Sequence, residues 1–181
     1  NQSYYGKTLI TALYAQDAWK LTPELTLTSG LRFENFEAFD GSQYFAGPPV
    51  AQSVFPSRKL TATSPKVSLA WAATDEITLR TSLGRGVRFP NVDELFNGTQ
   101  TGTSITTSDP NLRPEVSRSA EISVEREWGR HWLRASVFRD DVADTIQRQT
   151  DSTVFPSVTR VSNVDKVLTQ GLELVWATRD V

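Results

Sequence analysis

Apolar and polar residues alternate along most of the chain with a period of two, the spacing of a strand with one apolar and one wet face. The clearest run sets Leu25, Leu27, Leu31 and Phe33 against Thr26, Thr28, Arg32 and Glu34. Val67, Leu69, Trp71 and Ala73 alternate with Lys66 and Ser68, and Ile77, Leu79, Thr81 and Leu83 continue the pattern after a tight turn at Thr74 to Glu76. Ala120, Ile122 and Val124 face away from Glu121, Ser123 and Glu125. Leu133, Ala135 and Val137 mark a strand from Trp132 to about Arg148, and Leu172, Leu174 and Trp176 mark another from about Val158 to Thr178. A first strand, Thr8 to Lys20, has less decided faces. The pattern predicts about seven antiparallel strands of roughly 10 to 15 residues, longer than the usual soluble strand of about 5 to 6 and near the length of a tilted membrane strand.

The connections alternate in length. Leu21 to Glu24, Thr74 to Glu76 and Gly129 to His131 are short, whereas stretches at about 40–58 and 88–116 are long and one at about 149–157 is moderate. An up-and-down barrel with short turns on one side of a membrane and long loops on the other has this rhythm. Trp19, Trp71, Trp128, Trp132 and Trp176 fall near the short turns or the end of the chain, as a belt at one membrane interface would. The strand before the longest excursion is expected to break at Gly84 and Gly86. Pro90, Pro110 and Pro114 then exclude a central strand over most of that excursion, because proline cannot donate to a ladder. A structureless loop of this length is rare in a compact domain and usually carries function or disorder.

Composition changes this picture little. In 181 residues, 38% hydrophobic, no run approaches the roughly 18 apolar residues of a membrane helix. The mean hydropathy of -0.35 fits a soluble protein and a barrel equally, since a barrel wall alternates lipid-facing with lumen-facing side chains. A net charge of -2 with scattered lysines and arginines supplies no field for nucleic acid. The absence of cysteine removes disulfides, thiolate metal sites and thiol nucleophiles. These residues hold no charged-then-apolar leader, so any signal peptide is expected to have been removed or to lie outside them.

Several segments carry a resemblance. GRGVRFPNVDELF (84–96) and DPNLRPEVSRSAE (109–121), with LYAQDAWKLTPELTLTSGLRFE (13–34), SPKVSLAWAATDEITLRTSLGRG (64–86) and QGLELVW (170–176), resemble the barrel domain of TonB-dependent outer-membrane receptors. The resemblance implies an all-β, antiparallel up-and-down transmembrane barrel, of which about seven strands are here and roughly 22 in the whole. It implies a bacterial outer-membrane location, uptake of a scarce nutrient such as a ferric siderophore, cobalamin, haem or a glycan, and energy from the TonB complex acting through an N-terminal plug that these residues do not include. About seven strands cannot close a wide barrel, and an open edge in lipid is prohibitive, so further strands are expected to complete the wall.

Enzyme chemistry finds little support. His131 is the sole histidine and sits at a turn, against a histidine triad or multi-histidine metal site. Gly84 and Gly86 are half a dinucleotide fingerprint with no helix expected after them. Asp140, Asp141 and Asp144 lack a calcium-loop spacing and are read as a solvated strand end. No cofactor and no metal site is expected. The candidate ligand contacts are loop residues Tyr44, Phe45, Arg85, Arg88, Phe89, Asn91, Glu94 and Phe96, together with Thr99 to Thr107. For Arg88 to Phe96 the alternative is a folded-in segment bracing the barrel mouth, with Glu94 paired to Arg88. Arg32, Glu34, Arg80, Glu121, Glu125 and Glu173 are expected to face a polar lumen as ion pairs with one another or with Arg134. The competing readings are a soluble β-rich glycan-binding module or hydrolase, which exposed loop aromatics and paired carboxylates suit, and a barrel or adhesin that transports nothing.

Overall fold

The computed structural model describes residues 2–46 and 51–178. Seven long strands make a wall in sequence order: β1 (Gln2–Lys20), β2 (Leu25–Phe45), β4 (Arg58–Ala72), β5 (Ile77–Arg88), β8 (Glu115–Trp128), β9 (His131–Asp151) and β10 (Ser157–Thr178), each antiparallel to its neighbour. Three short strands, β3 (Ala51–Phe55), β6 (Gly98–Gln100) and β7 (Ser104–Thr107), and a helix α1 (Val92–Phe96) belong to the long connections.

Register settles the faces. Leu27, Leu69, Thr81, Ile122, Val137 and Leu172 are linked through successive strand pairings on the outer face. The inner face carries Glu34, Ala62, Ser123 and Ser136, all buried. Because side chains alternate, each outward apolar residue fixes a polar neighbour inward. In β2 the alternation reverses near Asp40, where φ is 55° and the register to β1 shifts between Tyr5 and Lys7. This bulge inserts one residue in β2, so Gly41, Gln43 and Phe45 turn inward beyond it.

Three sequence expectations are corrected. Gly84 and Gly86 do not end a strand; β5 pairs with β8 through both of them to Arg88. A missing side chain weakens a strand without unpairing its backbone. The region from Asp40 is not a loop up to Phe45, since β2 runs on and folds back as β3, with Gly41 opposite Phe55 and Phe45 opposite Ala51. Gly47, Pro48 and Pro49 lie outside the described residues. The excursion 89–114 is not structureless, and a helix does follow the glycines.

That excursion folds back against the inner face and supplies most of the core. Phe89, Pro90, Leu95, Phe96 and Leu112 are buried, packed on Phe36, Ala38, Ala62 and Val161 of the wall. β7 then pairs in parallel with β10, Ser104 to Ser157 through Thr107 to Arg160, and β6 pairs with β7. At the far side of β6, the Gln2 side-chain amide donates to the Gln100 carbonyl and its oxygen accepts from Gln100 N–H at 2.6 Å. The excursion therefore crosses the mouth from the last wall strand to the first.

Candidate functional site

α1 starts where Asn91 accepts from Glu94 N–H at 2.9 Å and Glu94 accepts from Asn91 N–H at 2.9 Å, a reciprocal cap that satisfies two orphan donors. The helix is placed by its two aromatic flanks. Phe89 stacks on Phe36 with ring centroids 4.8 Å apart and planes 2° from parallel. Phe96, 2% exposed, lies over Gly6 and Gly41, where an added Cβ would stand 2.4 Å and 2.5 Å from its ring. Only glycine at both positions lets the ring sit against the backbone.

Charge then fixes the segment to the wall. Arg88 donates from Nε to Glu115 at 2.6 Å, from Nη2 to the same carboxylate at 2.8 Å, and from Nη1 to Glu94 at 3.1 Å. Glu115 also accepts from Ile146 N–H at 2.7 Å. The Arg88 guanidinium beside it, aided by that N–H, holds the Glu115 carboxyl below the usual carboxylate range. Asp93 accepts from Tyr4 Oη at 2.9 Å and pairs with Arg148. Arg58 donates to the Leu112 carbonyl at 2.6 Å, and Asn163 brackets Arg113 by accepting from its N–H at 2.8 Å and donating to its carbonyl at 2.9 Å. Arg113 in turn pairs with Asp144 at 2.7 Å.

The predicted site residues thus separate. Arg88, Phe89, Asn91, Glu94 and Phe96 come together as the frame of the inward-folded excursion, and Phe89 and Phe96, 7% and 2% exposed, have almost no surface left for a ligand. Arg85 is on the opposite face of the wall, its guanidinium donating to the Thr63 carbonyl. Tyr44 alternates onto the outer face and Phe45 onto the inner one. On the inner wall below, Arg32 pairs with Glu34 at 2.9 Å, Arg80 with Glu125 at 3.2 Å, and Arg134 with Glu121. Glu173 shares that face, near Phe138 and Thr169, with no ion pair among the described residues. Trp19, Trp71, Trp128 and Trp176 lie on the outer face at the short-turn end, with His131 between Trp128 and Trp176 at 5.6 Å and 5.9 Å. Trp132, opposite Glu127, alternates onto the inner face instead. Asp140 accepts from Ser117 on the inner face while Asp141 pairs with Lys166 on the outer one, so the acidic trio diverges.

A groove opens between the β2–β3 hairpin and the β6–β7 ribbon, with a volume of about 460 Å³. Gln43, Phe45, Ser53, Phe55, Thr99, Ile105, Thr107 and Ser108 line it, and its described lining holds no carboxylate and no basic side chain. Two of the candidate contact segments, around Tyr44 and Phe45 and from Thr99 to Thr107, meet there across more than fifty positions of sequence. The roles of Arg58, Arg113, Arg148 and Asn163 escaped the sequence reading. Asn91-x-x-Glu94 before Leu95 and Phe96 is a capping signature that was legible; the other four have no local signal, because their partners are distant in sequence.

A model of the TonB dependent receptor-like β-barrel matches residues 1–179. The chain belongs to this family. It is a family of receptors and transporters, not of enzymes. Among curated relatives, heme/hemopexin utilization protein C of Haemophilus influenzae strain 86-028NP is 28% identical over 133 residues, 61% of this chain and 19% of that protein. The chain therefore spans about a fifth of that relative's length. Among solved structures, the Serratia marcescens hemophore receptor HasR, in complex with its hemophore HasA and heme, aligns with a TM-score of 0.81 at 17% identity, over 94% of this chain and 32% of that one. The copper transporter OprC aligns with a TM-score of 0.76 at 19% identity, over 96% and 27%. The ferric yersiniabactin receptor FyuA of Yersinia pestis aligns at 0.71 and 18% identity, over 99% and 26%. These likenesses establish the wall as a stretch of such a barrel. No described helix is long and apolar enough to cross a membrane.

Proposed function

We propose that this chain forms part of the wall and mouth of an outer-membrane receptor that takes up a scarce nutrient with energy from the TonB complex, the nutrient being an organic metal chelate of the ferric siderophore or haem class. The long connections would face outside and the tryptophan-bearing turns the periplasm. The observation that carries the ligand reading is the neutral groove between the β2–β3 hairpin and the β6–β7 ribbon. It presents two aromatic rings and a row of hydroxyl and amide groups, suited to an apolar-faced chelate with hydrogen-bonding edges. Relatives that handle heme and ferric chelates support the class. The sole histidine lies at the short-turn end, so the groove supplies packing and hydrogen bonds while the chelate keeps its own metal ligands.

The full-length receptor with Phe45→Ala and Thr107→Ala tests this by fluorescence titration with hemin and with a panel of ferric siderophores. Removing a ring and a hydroxyl from the groove is expected to weaken the cognate chelate about tenfold, near 1.4 kcal/mol. Unchanged affinity for every chelate bound by the unaltered receptor would overturn the assignment of the groove.

A further inference from the structure

The outer face carries a charge cluster that the uptake reading does not use. Arg85 on β5 stands directly opposite Arg118 on β8, and Arg118 is directly opposite Asp141 on β9. One row nearer the short turns is Arg139, opposite Ala120, and one strand further is Lys166. Three of these four cations, Arg118, Arg139 and Lys166, surround one carboxylate, Asp141. Asp141 is engaged by Lys166 at 2.6 Å and more loosely by Arg139 at 3.8 Å. Arg118 forms no ion pair among the described residues, and Arg85 reaches only the Thr63 carbonyl. Like charges placed opposite each other across a ladder are destabilising unless an anion joins them.

Beside the cluster, in the same rows, and just below it the same face turns apolar. A trough of about 710 Å³ is lined by Leu31, Pro65, Val67, Leu83 and Ala120, with Arg85, Arg118 and Arg139 along its rim. A second, about 640 Å³, runs along Ile122, Val137 and Leu172, again with Arg139 at its edge. Leu83, Ile122 and Leu172 are more than half exposed. Two apolar channels that share a cationic head match the shape and charge of a lipid with acyl chains and a phosphate headgroup, and guanidinium is the group that grips phosphate through paired donors.

We propose that Arg85, Arg118, Arg139 and Lys166 form a binding site for the phosphate headgroup of a membrane lipid whose acyl chains lie in the two troughs. This rests on the membrane-barrel reading above. The occupant is a lipid and not a free anion, because the cations border an apolar surface and not a concave polar pocket.

The test purifies full-length receptor into phosphatidylcholine nanodiscs doped with diphosphoryl lipid A and counts retained lipid by native mass spectrometry. Wild type is expected to hold lipid A against excess phosphatidylcholine. The R118Q/R139Q variant is expected to lose at least tenfold in retention, while R130Q, which removes a cation in a short turn, keeps it. Millimolar inorganic phosphate should fail to displace the lipid; displacement would identify a free-anion site and overturn the proposal. Equal retention by wild type and R118Q/R139Q would overturn it too. Heat-modifiable migration of each variant separates these results from failure of the barrel reading, because a chain that is monodisperse without detergent would remove the membrane altogether.

Discussion

At the scale of single residues, two glycines and one ring decide whether the excursion can lie flat on the wall. Gly6 and Gly41 face Phe96 from neighbouring strands, and a Cβ at either would sit well inside van der Waals contact. Gly41→Ala should expel the ring and expose the seam it shares with Phe55, whose centroid is 5.5 Å away. Losing a buried phenylalanine's packing costs about 3 to 5 kcal/mol, and partial relaxation brings the expected loss for Gly41→Ala toward the lower end. The check is thermal unfolding of the full receptor in detergent, with near-ultraviolet circular dichroism following the aromatic cluster. A melting curve that superimposes on wild type would show that the ring has room to move.

At the scale of elements, the excursion is held by charge at its two stems, and the central clamp is Arg88 between Glu94 and Glu115. This clamp lies three positions beyond Arg85, outside the apolar outer rows. Because the Glu115 carboxyl is held below its ordinary value, its contribution to the folded state is present above the unfolded carboxylate's pKa, about 4.3, and is lost as pH falls through the lower folded value. Limited proteolysis within 97–111 should therefore accelerate when pH is lowered from 7 to below 4, and Glu115→Gln should show the faster rate already at pH 7. The seven wall strands were legible in the sequence because each has one apolar and one polar face, as Leu25 to Glu34 illustrates. Their ends were not. Beyond Phe33 and Leu83 the strands leave the outer apolar band, outward positions such as Glu37 and Arg85 turn polar while inward Phe36 and Ala38 turn apolar under the excursion, and the period that announces a strand is lost although the backbone pairing goes on. The candidate site was legible only as two separate tracts. That Phe45 would meet Thr107 depends on the bulge at Asp40 and on a parallel pairing between β7 and β10, both set by contacts remote in sequence.

At the scale of the whole molecule, the outer face is ordered in bands. From Arg126 to Arg118 on β8 the strand rises roughly 27 Å at about 3.4 Å per residue, and tilted by about 40° it spans a little over 20 Å, close to the apolar height of an outer-membrane wall. Tryptophans border one edge and the arginine row the other. Ile122 sits at mid-band, 67% exposed. Ile122→Arg should cost about 2 to 4 kcal/mol in a bilayer, whereas Ser82→Arg, on the inner face one row away, should cost far less. Folding yields of the full receptor into lipid vesicles, read by heat-modifiable migration, compare the two; equal yields would show that the outer face does not meet lipid.

The crossing of the mouth by residues 89–114 has a mechanical consequence. A curved sheet can flatten or tighten like an unbraced arch. Here β7 hydrogen-bonds the last wall strand and β6 grips Gln2 of the first, with five strands between them. The excursion is a tie-beam across that arch. It sets the chord between β1 and β10, so the curvature of the rim is fixed by a segment that is not part of the rim, and widening the opening on this side means unfastening the tie before bending the wall.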